Sequence, residues 1–207
     1  MLDSIINEFD KALKVLTVNQ TFQRARPDAN INDSLSLTSK ERKTHSRFMR
    51  VNHSGEICAQ ALYRGQLLFN KNNKIQEQLE EAATEELDHL AWCQIRIKEL
   101  KGRTSYLNPI LYIGSFAIGS IASIIDEKYN LGFLSETEKQ VSSHLENHLS
   151  KISSKDKKTI AIIKQMKKEE EKHEASARSM GAKELPNLIQ KVMRFTSKIM
   201  TESTFKI

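Results

Sequence analysis

Apolar residues recur along this chain at three- and four-residue spacing. They do not fall into the two-residue rhythm of half-buried strands. One stripe holds Leu79, Ala82, Ala83, Leu90, Cys93 and Ile97; a second holds Leu134, Val141, Leu145 and Leu149; a third holds Ile163, Met166, Ala177 and Met180. A weaker one runs through Met49, Ala59 and Tyr63. The pattern predicts an amphipathic helix over 1–18, a loop over 19–37 around Pro27-Asp28, and then long helices. Thr38-Ser39-Lys40-Glu41 has capping-box spacing and predicts a helix start. That helix runs to about Asn70, and Asn70-Lys71-Asn72-Asn73 makes the turn. The next runs from about Lys74 to Lys101, with Gly102 expected as its C′ residue. A helix starting near Asn130 or before carries Glu138; the capping-box spacing of Ser135-Glu136-Thr137-Glu138 lies inside it. Another spans about Ser154 to Met180, stopped by Gly181. Pro186 opens a last amphipathic helix over 186–207.

Thr104 to Ile125 interrupts this rhythm with 22 residues free of charge. Pro109 suits the first position of a helix there. The length would allow a membrane span, but Asn108, four serines and two glycines keep its hydropathy modest. The expectation is a crossover helix on the bundle surface, either buried or in contact with lipid. A span would pull Glu86–His89 and Glu138 to opposite sides of a bilayer. Ser115, Gly119 and Ser123 share one face at four-residue spacing. That face either packs closely on the bundle or leaves a groove, for which Phe116, Gly119 and Ser123 are candidate lining residues.

Composition agrees with an all-α fold in one domain, residues 1–207: 7 Gly, 3 Pro and 28% charged residues favour long helices and short loops. The two cysteines, Cys58 and Cys93, fall within helices, and no disulfide framework is expected. The N-terminus lacks the basic start and apolar core of a signal peptide. The net charge of +6 comes without a stacking platform, groove-reading motif or arginine cluster, so nucleic acid is not an expected partner. An anionic lipid surface fits better, with Lys191, Arg194 and Lys198 on the last helix as candidate contacts.

Polar exceptions on the apolar stripes carry the chemistry. Glu86 and His89 lie three residues apart, on one helix face; Glu170 and His173 repeat the spacing. Glu56 lies 30 residues before Glu86, and Glu138 lies 32 before Glu170. A lone Glu-x-x-His in a charged helix usually faces solvent. Here the neighbours on each face are core residues, where an unpaired carboxylate is costly. Two helical hairpins, each giving one Glu and one Glu-x-x-His, form the ligand pattern of dinuclear carboxylate proteins. Carboxylate and imidazole donors suit iron better than zinc.

The stretches Arg50-Val51-Asn52-His53-Ser54-Gly55-Glu56-Ile57-Cys58-Ala59-Gln60-Ala61-Leu62-Tyr63 and Glu86-Leu87-Asp88-His89-Leu90-Ala91-Trp92-Cys93 resemble the signature of the bacterial demethoxyubiquinone hydroxylase family. So do Leu131-Gly132-Phe133 through Glu138 and Glu170 through His173. The resemblance covers nearly the whole chain. It implies a ferritin-like four-helix bundle with a crossover apolar helix and extra terminal helices. It implies two Fe ions per chain on Glu56, Glu86, His89, Glu138, Glu170 and His173, with His144 nearby. It further implies O2-dependent hydroxylation of a polyprenylated benzoquinol in ubiquinone biosynthesis, by a protein peripheral to the cytoplasmic face of the bacterial inner membrane. Other ubiquinone-biosynthesis proteins or a second copy of the chain are further candidate partners. Peroxide detoxification and non-catalytic iron storage are the alternatives on the same ligand set.

Overall fold

The computed structural model describes residues 2–17, 22–32 and 37–207; of residues 2–6 only the backbone is described. Parts of the loop expected over 19–37 therefore lie outside the described residues. The described residues form helices with no strand: α1 (Leu2–Thr17), α2 (Ser39–Phe69), α3 (Asn73–Glu99), α4 (Asn108–Ile125), α5 (Glu127–Leu149), α6 (Lys157–Ser179) and α7 (Asn187–Lys206).

The helix starts follow side chains that accept the free N–H groups of a first turn. Thr38 and Glu41 make both halves of a capping box at α2. Asn72 caps α3, Asp126 caps α5 and Asp156 caps α6. Two ends are Schellman motifs. At α6 the N–H of Gly181 reaches Arg178 O and that of Ala182 reaches Ala177 O, with Gly181 at φ 95°. At α3 the expected Gly102 is not the C′ residue. Lys101 takes that place at φ 59°, and Gly102 follows it, donating to Ile97 O. Gly102 is needed for a different reason: a Cβ there would lie 1.7 Å from Ser46 Oγ.

The hairpins α2/α3 and α5/α6 make up the four-helix bundle, joined by α4. As in the all-helical, ferritin-like reading, α4 crosses over the bundle surface, lying along α2. One face of α4 is buried at Asn108, Tyr112, Gly119 and Ala122. The contact is backbone to backbone. A Cβ on Gly119 would lie 2.2 Å from Leu62 O, and one on Gly65 would lie 2.3 Å from Phe116 O. Gly119 therefore belongs to a close helix crossing and leaves no groove for a substrate tail. Phe116 packs against Ile57, Ala61, Leu90 and Tyr112, and the Ser123 hydroxyl donates to Ser120 O.

Two apolar layers fill the bundle. One contains Met49, Trp92, Cys93, Leu145, Ile162 and Met166. The other contains Ala59, Tyr63, Leu79, Ala83, Leu134 and Ala177. Every helix of the bundle passes through both. Between them lie the residues that break the stripes.

Candidate metal centre

Glu56 sits on α2 between Met49 and Ala59. Glu86 and His89 sit on α3 between Ala83 and Trp92, Glu138 on α5 between Leu134 and Leu145, and Glu170 and His173 on α6 between Met166 and Ala177. Mid-helix placement and the apolar neighbours on either side turn all six inward. Each is at most 3% exposed.

They meet as two overlapping groups. Glu56, Glu86, His89 and Glu170 form one; Glu86, Glu138, Glu170 and His173 form the other. Within each, donor atoms from every residue lie within 4.8 Å of one another. Glu86 and Glu170 belong to both. His89 Nδ1 is 2.8 Å from Glu86 Oε2 and 3.4 Å from Glu170 Oε1; His173 Nδ1 is 3.4 Å from Glu86 Oε1 and 3.6 Å from Glu170 Oε2.

A second set of carboxylates aims the imidazoles. His89 Nε2 is 2.5 Å from Glu169 Oε2, and His173 Nε2 is 2.8 Å from Glu85 Oε2. Each of these glutamates stands one position before a shared carboxylate, and each reaches across to the histidine of the other hairpin. The Nε2–H of each ring donates outward, leaving Nδ1 facing the cluster. Arg24, from the segment before α2, extends the shell. Its Nε donates to Asp88 Oδ2 at 2.6 Å and its Nη1 to Glu169 Oε1 at 2.6 Å, and its guanidinium lies 5.2 Å from the Trp92 ring centroid. The Tyr63 hydroxyl donates to Glu138 Oε1. The sequence reading missed Glu85, Glu169, Arg24 and Tyr63 as site residues. Tyr63 carried a signal, being seven residues after Glu56 and so two turns along the same face.

The electrostatics are those of a donor set short of positive charge. Burial and then the Glu86 carboxylate push the Glu56 pKa well above its usual range. Burial and then Glu170 do the same to Glu138. Burial opposes charge on Glu86 too, but His89 and His173 beside it hold its pKa well below the ordinary value. Burial also opposes the imidazolium forms; surrounding carboxylates overcome it, raising His89 strongly and His173 to about 11. Glu86 Oε1, Glu138 Oε2, both oxygens of Glu170 and His173 Nδ1 are buried with no hydrogen-bond partner among the described residues. Orphaned buried acceptors converging on one point fit a cation. Four carboxylates would balance two divalent ions in charge.

His144 stands apart. It belongs to neither group and packs edge-on against His148, ring centroids 3.9 Å apart. Burial and then Lys151 lower its pKa to about 4. His148 Nδ1 in turn lies 2.8 Å from Asn52 Oδ1 on α2.

The sequence that builds this site has relatives. The family model for ubiquinone biosynthesis protein COQ7 matches residues 43–204. The chain belongs to this family. It is 46% identical over 206 residues to the 3-demethoxyubiquinol 3-hydroxylase of Polynucleobacter necessarius, covering 100% of this chain and 99% of the relative. It is 48% identical over 208 residues to the protein of that name from Legionella pneumophila, covering 100% and 97%. With the Chromobacterium violaceum protein of the same name it shares 45% over 207 residues, the full length of both. All six cluster residues fall within the matched region.

Proposed function

We propose that this chain is a 3-demethoxyubiquinol 3-hydroxylase, a monooxygenase that uses two irons and O2 to hydroxylate the ring of a polyprenylated benzoquinol in ubiquinone biosynthesis. The observation that carries the reading is the pair of overlapping donor groups sharing Glu86 and Glu170. Family membership and the names of its relatives agree with it.

Glu56 and His89 would hold one ion, Glu138 and His173 the other, with Glu86 and Glu170 offered to both. Two ferrous ions, when bound, supply the electrons that O2 activation requires. The protein does the rest. Glu169 and Glu85 fix the two rings so that Nδ1 remains a donor. The Tyr63 hydroxyl holds a proton against Glu138 Oε1. The apolar layers above and below exclude water, which strengthens every charge interaction between them.

The site serves a lipid. Outside its α2 contact, α4 exposes Ile110, Ile113, Ile118, Ile121, Ile124 and Ile125, each at least 46% exposed. On α7 Leu188, Val192, Phe195 and Ile199 are exposed beside Lys191 and Lys198, and the half-exposed Arg194 lies 3.5 Å from Glu136 Oε1. Patches of this size mark a partner or membrane surface. They support peripheral attachment to a membrane, where a long-tailed quinol resides; the cytoplasmic face of the inner membrane is part of the proposed reading.

The test is a quinone extract from cells lacking the gene. The demethoxy intermediate should accumulate, and wild-type protein, but not a Glu170→Ala variant, should restore ubiquinone. Normal ubiquinone in the deleted strain would contradict the assignment.

A further inference from the structure

A groove of about 730 Å³ lies at the far end of α2 from its Gly65 crossing. From α2 it is lined by Arg42, Lys43, Arg47 and Arg50, from the α3–α4 linker by Lys101 and Arg103, and from the end of α7 by Lys206. Ser39 and Ser46 add hydroxyls, and no carboxylate lines it among the described residues. None of the seven cations makes an ion pair among the described residues, whereas Arg24, Arg26, Arg178, Arg194 and Lys198 all do. Setting these seven aside leaves 25 of the chain's 32 Lys and Arg against 26 Asp and Glu. Seven of the chain's 32 Lys and Arg thus line this one groove.

Like charges held this close repel, and the fold keeps them together without relief. Among the described residues the buried Arg50 donates to carbonyls: Nε to Arg103 O at 2.9 Å and Nη1 to Thr204 O at 3.5 Å. Burial, then the neighbouring Arg103 and Arg47, lower its pKa. Arg47 is further fixed over the Phe205 ring, 5.4 Å from its centroid. An assembly of fixed guanidiniums and ammoniums with serine donors matches phosphate oxygens, which accept several charge-assisted hydrogen bonds at once. One phosphodiester carries a single charge, so the groove has room in charge for more than one.

The position of the groove says where the phosphates come from. Arg103 stacks over Tyr106, 4.1 Å from its ring centroid, and Tyr106 is 74% exposed just before α4. Beyond it along α4 come the exposed Ile110 and Ile113. A phosphate held by Arg103 would have its attached chains beside that apolar face. We propose that this groove is a binding site for the phosphate groups of anionic phospholipids, seating the protein on the membrane with α4 against the acyl region. This deepens the membrane reading above by naming the lipid class and the residues, and its test does not depend on the hydroxylase activity.

The experiment is vesicle flotation of the full-length protein. Phosphatidylcholine vesicles are compared with vesicles containing phosphatidylglycerol or diphosphatidylglycerol. A groove triple, Lys43→Gln, Arg103→Gln and Lys206→Gln, alters exposed side chains. A charge-matched triple elsewhere, Lys155→Gln, Lys157→Gln and Lys168→Gln, is the control. A basic residue near an anionic leaflet contributes roughly fivefold in partition, so the groove triple should lose about a hundredfold on anionic vesicles. The control should lose less than about fivefold, and wild type should float poorly with phosphatidylcholine alone. Lys43→Arg and Lys206→Arg in place of the two glutamines should restore flotation, which a folding defect in the triple would not allow. Equal losses in both triples, or none, would overturn the proposal. So would micromolar, groove-dependent binding of inorganic pyrophosphate in vesicle-free buffer, which would give the groove to a soluble ligand.

Discussion

Glu169 and Glu85 each follow a simple geometric consequence of the helix. A residue one position from a ligand is rotated about 100° around the axis, so it faces the neighbouring helix and not the centre of the bundle. That is why the six cluster residues were legible in the sequence and these two were not. A carboxylate on a core stripe is out of place by burial alone; a carboxylate beside it looks like surface until the partner helix is known. The Glu169→Gln variant should keep the fold but weaken metal binding about 10- to 100-fold, since it loses the charged partner of both His89 and Arg24. Equilibrium titration with a chelator checks this. The pKa directions give a second expectation. Burial and neighbouring carboxylates raise Glu56 and Glu138, and neighbouring carboxylates raise His89 and His173 against burial, so all four hold a proton more tightly than free groups do in the metal-free chain. Loading divalent ions should therefore release protons, read by calorimetry in buffers of different ionisation enthalpy; metal binding without proton release would contradict this.

At the scale of the element, local signals predicted the helices well and their termini less so. Capping residues and the Gly181 stop act through nearest neighbours, and the structure keeps them. Gly102 misled because its role is tertiary: it makes room for Ser46, while Lys101 accepts the left-handed backbone. Gly119 is similar. Its spacing with Ser115 and Ser123 left packing and channel equally open, and only the position of the Leu62 carbonyl separates them. Gly119→Leu should therefore lower thermal stability and impair long- and short-tailed substrates alike. The Asp156 cap ties three helices together, accepting from Thr159 N at 3.0 Å and Arg96 Nη2 at 2.6 Å and lying 2.7 Å from His45 Nδ1. Burial opposes its charge, but His45 and Arg96 bring its pKa down to about 2. A depressed carboxylate pKa gives stability that is present above its unfolded value, roughly 4, and is lost as pH falls toward 2. Asp156→Asn should cost about 3 kcal/mol at pH 7 in denaturant unfolding, with the gap to wild type narrowing below pH 4.

The whole molecule is a bundle in which a layer of charge lies between two layers of hydrocarbon, with its remaining apolar surface concentrated on α4 and α7. The inner arrangement was legible because burying charge is expensive enough to mark the sequence. The outer one was only half so. Hydropathy showed that α4 and α7 carry apolar residues but not which way they face; α7 exposes Leu188, Val192, Phe195 and Ile199 together with Lys191 and Lys198, and pairs the half-exposed Arg194 with Glu136. The central claim is that four helices bring six residues to one dinuclear iron site. Iron content after anaerobic loading and removal of excess metal, assayed beside turnover of a demethoxyubiquinol, tests it most directly. Two irons per chain are expected for wild type, with less iron and no hydroxylated product in Glu138→Ala and His173→Ala. A single zinc and no iron, or variants that hydroxylate as wild type does, would contradict it.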